Sequence, residues 1–197
     1  MFNTNVDIFN NNENVKEKIK NADYVFVADL FVDDYVGGAE LTTENLITHL
    51  KESNIKVCKL KSTQVDQEMI QLGLMKHWVF CNFSSMNLNL IPIIIANLNY
   101  SIIEYDYKFC KYRSVEKHMQ AENKKCDCSE QTHGKMISAF FFGSKNIFWM
   151  SEKQKNLYLQ KFPFLVSSNS IVLSSIFSND TLQNLRKIRL EKSEKQK

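Results

Sequence analysis

The sequence predicts a three-layer α/β domain on a mostly parallel sheet, and three observations carry that prediction. Apolar runs of strand length alternate with helical patterns along the chain, the order that builds βαβ units. The first run, "YVFVAD" (24–29), is continuously apolar, as a strand buried on both faces reads, and it ends in an acid. Only 5 glycines and 2 prolines occur in 197 residues, too few for a turn-rich all-β chain.

The elements follow in order. Residues 1–23 are polar, with a short helical pattern around Val15 to Ile19. After the strand at 24–29 comes "GG", then "ELTTENLITHLKESN", which places Leu41, Leu46, Ile47 and Leu50 on one helical face, with Asn54 as its stop. "IKVCKLKS" (55–62) alternates like a strand. "DQEMIQLGLMK" (66–76) reads as a short helix with Asp66 as its N-cap. "HWVFCNF" (77–83) is a strand, and "NLNLIPIIIANL" is a buried helix with Pro92 suited to its first turn. "NYSIIEYDY" (99–107) is a fourth strand ending in acids. Residues 108–133 show no apolar period and read as an insertion or long loop. A helix at 134–144, a strand at 145–151, a helix N-capped by Ser151 and a last strand at 169–177 complete the domain, residues 1–181. Residues 182–197 read as a basic tail or linker leading out of it.

Composition narrows the function. Apolar residues make up 44% of the chain, with 14 Phe and 7 Tyr, enough for a sizeable core. Residues 183–197 hold six Lys/Arg and two Glu, a net charge of +4, against +3 for the whole chain. The body, residues 1–182, is therefore at −1, which argues against a nucleic-acid binder. No signal-peptide pattern opens the chain, and the longest apolar stretch, "LNLIPIIIANL", is too short to span a bilayer. A cytoplasmic location is expected, in which Asn-x-Ser/Thr at Asn82, Asn99 and Asn179 is coincidence. Five cysteines without a secretion signal point to reduced thiols or a metal instead of a disulfide framework.

Two of the five glycines, Gly37 and Gly38, are adjacent between the first strand and the first sheet helix. In open α/β sheets ligands bind at the carboxyl ends of the strands, and a glycine turn there lets a ligand approach backbone amides at a helix N-terminus. The turn is Rossmann-like in position. It is not a G-x-G-x-x-G fingerprint, and no acid clearly closes the second strand, which argues against a dinucleotide ligand.

The stretch Gly37-Gly38-Ala39-Glu40, opening the first helix after the first strand, resembles the N-terminal, acceptor-side domain of GT-B glycosyltransferases of the family 4 type. "SIVLSSIFS" followed by "TLQNLRKIR" is similar to the last strand and connector that lead into their second Rossmann-like domain. The resemblance implies transfer of a sugar from a nucleotide-sugar to an acceptor, of hexosyltransferase type, with the donor held mainly by a second domain through a pair of glutamates. This chain would then be the acceptor-side half, a truncated gene product or one subunit of a split enzyme, inactive alone. It implies that Gly37 and Gly38 face the donor diphosphate and acceptor across a cleft, with amides that stabilise the leaving phosphate. Glu40 caps, pairs or touches substrate. Asp106 is the candidate polar cleft residue or general base, with Glu104 on the same side of the strand. The competing reading of this acid pair is a solvated strand end, and a retaining enzyme of this type needs no general base. No cofactor is required by such a fold.

Cys110, His118, Cys126, Cys128 and His133 fall within 24 residues of polar sequence. A structural zinc takes four Cys/His ligands and can hold a loop that lacks a core. The best set is Cys110, Cys126 and Cys128 with His118, or with His133 in its place. Against zinc stand the C-x-C spacing of 126–128, a flexible insertion with free thiols, and a disulfide. Lys108, Lys111, Tyr112, Arg113 and Lys117 form a basic aromatic patch that meets phosphate or an anionic sugar, or is a solvated loop face. Lys108 and Arg113 are its substrate-binding candidates. His49 lies at a helix C-terminus, where a cation suits the dipole, and Cys58 and Cys81 read as core thiols.

Two further readings remain beside the transferase. One is a non-catalytic Rossmann-like binding or assembly module with a zinc-stabilised loop. The other is a flavodoxin-like small-molecule enzyme. A homo-oligomer is compatible with each.

Overall fold

A computed structural model describes residues 4–195, with the side chains of residues 13–189, 191 and 192. The last two residues of the basic tail, 196 and 197, lie outside the described residues. Helix α1 (Thr4–Asn21) leads into β1 (Tyr24–Ala28), α2 (Gly38–Glu52), β2 (Val57–Lys61), α3 (Gln67–Leu72), β3 (His77–Phe80), α4 (Ile91–Asn97) and β4 (Asn99–Glu104). There follow α5 (Val115–Glu122), α6 (Thr132–Phe142), β5 (Asn146–Trp149), α7 (Glu152–Lys161), β6 (Ser170–Val172) and α8 (Asn179–Lys195).

All six strands are parallel, in the order β2-β1-β3-β4-β5-β6, so the Rossmann-like three-layer α/β expectation holds. The step from β1 to β2 runs opposite to every later step. Right-handed crossovers then put α2 on one face of the sheet and the later helices on the other. The two cores show this division. One holds Ile47 of α2 against Phe26, Ala28, Val79, Cys81 and Ile103. The other holds Ile19, Ile70, Ile94, Phe140 and Tyr158, from α1, α3, α4, α6 and α7, against Val25, Val27, Phe80, Ile102 and Trp149. The strand order reverses between β1 and β3, and a doubly wound sheet opens its ligand crevice beside that switch point, at the carboxyl ends of the strands.

The capping signals act as read. Asp66 accepts from the Met69 amide, Ser151 from the Gln154 amide, and Pro92 sits in the first turn of α4. Cys58 and Cys81 are buried thiols.

Several boundaries differ from the expectation. β4 stops at Glu104, short of 107, because the chain folds back: the Lys108 amide donates to the Glu104 carboxylate and the Cys110 amide to the Tyr107 carbonyl. β6 spans only three residues of the expected nine; the amides of Leu173 and Ser174 both turn to the Trp149 carbonyl, and Ser174 adopts φ 62°. Leu41 is 47% exposed, outside the buried face of its helix. That face runs through Thr43 and Ile47, and residue 41 lies about 200° around the helix from residue 43. The stretch 108–133 is an ordered segment containing α5 and the first residues of α6, not a structureless loop.

α8 is a helix whose described side chains from Asn179 to Lys192 are all exposed. None of the helices among the described residues is long and apolar enough to cross a membrane.

Candidate metal centre and strand-end cleft

The carboxyl ends of β1, β3 and β4 are joined by charged side chains. Asp29, just past β1, accepts from the Ser62 hydroxyl at 2.5 Å and from the amides of Ser84 and Ser85 at 3.1 and 3.0 Å. Burial alone raises its pKa, but the bonds from Ser62, Ser85 and Ser84 outweigh that and hold the carboxyl below its ordinary range. Arg113 grips Asp106 through both Nε and Nη2, donates to the Asn82 side chain at 2.9 Å, and brings Nη1 to 3.9 Å from Asp29. One guanidinium thus spans three strand ends, using the fork that lysine lacks.

Lys108 is almost completely buried. Its ammonium lies 3.4 Å from Glu104 and 3.1 Å from Asp106, over the ring of Phe83. The acid pair expected at the end of β4 is therefore joined through one lysine. Glu104 is not a solvated strand end: it is fully buried and also accepts from the Tyr158 hydroxyl at 2.9 Å. Burial pushes its carboxyl up to about 7, against the opposing pull of Lys108. Gln154 of α7 fixes the turn from the far side by donating to the Asp106 carbonyl.

Gly37 is the N-cap of α2, in extended backbone with φ −132°, and no side chain caps the helix. A Cβ on Gly37 would fall 2.5 Å from the Glu40 carboxylate and 2.8 Å from the Tyr35 ring. Both contacts are with side-chain atoms, and the extended backbone at Gly37 does not itself require glycine. A Cβ on Gly38 would meet nothing within 4 Å, so the space above its backbone is open. Glu40 turns inward and is buried, not presented at the cleft.

Next to the cleft, four buried side chains converge: Cys110, His118, Cys126 and Cys128, whose ligand atoms all lie within 4.8 Å of one another. The local chain builds this deliberately. Cys110 sits between two tight turns, and Ser114 then N-caps α5 by accepting from Lys117. α5 buries only His118. Asn123, at φ 49°, ends the helix in the left-handed conformation, and the chain turns back to deliver Cys126 and Cys128. His118 Nδ1 lies 3.6 Å from Cys110 Sγ and 3.2 Å from Cys128 Sγ, and the sulfurs of Cys110 and Cys126 are 3.7 Å apart. This Cys3His cluster could hold a metal ion. His133 is not part of it: its Nε2 bonds the Lys108 carbonyl at 2.8 Å, which places it beside the cleft.

The structure thus assembles Cys110, His118, Cys126 and Cys128 into one cluster and Glu104, Asp106, Lys108 and Arg113 into another. Gly37, Gly38 and Glu40 stand apart at α2. Sequence reading passed over Asp29, Asn82, Ser62 and Tyr158 as site residues. Only Asp29 carries a sequence signal, as the acid closing the first strand. Gly134 was also missed: a Cβ there would fall 2.8 Å from the Cys128 carbonyl carbon, so this glycine admits the Cys128 loop against α6.

No family model, no curated protein and no solved structure matches this chain.

Proposed function

We propose that the chain is the acceptor-side domain of a GT-B-type glycosyltransferase, working with a donor-binding half to move a sugar from a nucleotide-sugar to an acceptor. The observation that carries this reading is the Gly37-Gly38 turn. It opens α2, the first helix after β1, with no side-chain cap and open space above Gly38. Backbone amides at such a helix start are suited to a developing phosphate charge. Arg113 and Lys108 keep the neighbouring strand ends rigid. In this reading Asp106 orients the acceptor through its ion-paired carboxylate; with Arg113 and Lys108 both on it, it does not act as a free base.

The same proposal assigns the Cys3His cluster to a structural zinc. Tetrahedral zinc, with bonds of about 2.3 Å to sulfur and about 2.0–2.1 Å to nitrogen, needs ligand separations of about 3.8 Å between sulfurs and about 3.5 Å between sulfur and nitrogen. Three of the six separations, 3.7, 3.6 and 3.2 Å, lie near those values, and all six are within 4.8 Å, so small side-chain shifts would close the site on an ion. With four protein ligands and no open position, zinc would hold the loop and take no part in chemistry.

The test is release of nucleoside diphosphate from a panel of nucleotide-sugars when this chain is combined with its downstream sequence or with neighbouring gene products. Release that depends on Gly38 supports the reading. No release from any donor, with any such combination, sinks it and leaves the zinc-stabilised binding module. Elemental analysis tests the metal separately, with one zinc per chain expected; a content well below one refutes the assignment.

A further inference from the structure

A small cavity of about 110 Å³ lies between the metal loop and the segment after β3. Its apolar floor is Phe83, Leu88 and Ile137. Lys108, Lys111 and Arg113 line it together with Ser84, His133 and the metal-cluster residue Cys110, and no carboxylate lines it. We propose that this cavity is an anion subsite that takes one phosphate- or carboxylate-sized group.

Three features support it. The cations come from a single loop that brackets Cys110. Lys108 is only 3% exposed, yet it lines the cavity, so a bound oxyanion would meet a cation from which water is largely excluded. Each cation already has a carboxylate partner outside the lining: Glu104 and Asp106 for Lys108, Asp106 for Arg113, Glu122 for Lys111. Those partners fix the cations in place and also share their charge, so a bare oxyanion binds in the millimolar range, and the apolar floor favours one attached to a larger molecule. The inference deepens the transferase reading and rests on it for one point only: the acceptor is then an anionic molecule, such as a sugar phosphate or a uronate. The binding itself stands independently.

The experiment titrates inorganic phosphate into the zinc-loaded full chain at constant ionic strength and follows amide shifts by NMR. Saturable shifts at Ser84, Lys111 and His133 are expected. Lys111→Gln, at an exposed position, should raise the dissociation constant about threefold or more, whereas Lys56→Gln, which removes the same charge elsewhere on the surface, should leave it unchanged. Acetate and methyl phosphate arms identify which oxyanion is preferred. The subsite is overturned by the absence of saturation up to about 50 mM phosphate, by shifts that avoid the cavity, or by equal effects of the two lysine variants. Phosphate binding without sugar transfer would refute the transferase and keep the subsite. Transfer to a neutral acceptor without phosphate binding would do the reverse.

Discussion

The backbone of Cys128 packs directly onto Gly134, with no room for a Cβ between the metal loop and α6. The contact is to the Cys128 carbonyl and the Ser129 α-carbon, which are backbone atoms that cannot swing aside. Gly134→Ala should therefore push Cys128 out of the cluster. Overpacking of this kind costs about 1–3 kcal/mol, and the lost ligand adds to it. The expected outcome is a chain that retains its far-ultraviolet circular dichroism but has a lower melting temperature and less bound metal. Gly38→Ala, where a Cβ meets nothing, should leave both unchanged.

The sheet was legible because strands buried on both faces read as apolar runs and the helices between them carry caps such as Asp66 and Ser151. Strand ends were not legible. They stop where side chains such as Glu104 take over backbone amides, which leaves no periodic trace. α5 escaped for a related reason: its one buried residue is His118, so it packs through a ligand and shows no apolar stripe. The Cys3His cluster was legible as residue types crowded into a polar segment. The choice between His118 and His133 was not, because it depends on which helix face meets Cys110. Arg113 was legible as a charge, but its bridge across β1, β3 and β4 follows only from the strand order.

Metal removal should act locally. The segment 108–133 has little core of its own beyond Phe109 and the four ligands, while the strands are held by two large apolar clusters. Hydrogen exchange after chelation should show α5 amides speeding up by about tenfold or more, with β1 and β3 unchanged. His118→Ala should reproduce the chelated pattern and lower metal affinity by more than the roughly 10–100-fold typical of residues behind the ligands. His133→Ala should retain full metal content. Loss of metal in that variant would contradict the ligand set.

Glu104 predicts an acid-side gain in stability. Its carboxyl titrates near 7 when folded and near its ordinary value of 4.5 when unfolded, so the folded state holds the extra proton between those limits. Its contribution is fully present below 4.5 and is lost as the pH rises through 7. The slope from this one group is at most about 1.4 kcal/mol per pH unit. Glu104→Gln keeps an acceptor for the Tyr158 hydroxyl and cannot titrate. Urea midpoints measured from pH 4.5 to 8 should fall less steeply with rising pH in the variant than in the parent. Parallel profiles would show that Lys108 keeps Glu104 ionised throughout.

The bridge from Arg113 to Asp106 is the last relation to test, because it distinguishes a designed lattice from an accidental surface pair. Exposed ion pairs contribute about 0–1 kcal/mol, but this one is two-pronged, with a second cation, Lys108, on the same carboxylate. Arg113→Lys keeps the charge and loses the fork, so it should lower the melting temperature by roughly 2–4 °C, the shift that about 1 kcal/mol produces in a chain of this size. Asp106→Asn alone should cost at least as much, since it leaves Lys108 with only Glu104. In the double variant the losses should fall short of their sum by about 0.5 kcal/mol or more, the signature of direct coupling. Additivity within about 0.3 kcal/mol would mean that Arg113 and Asp106 stabilise the strand ends independently, and that the guanidinium is held by Asn82 and Asp29 instead.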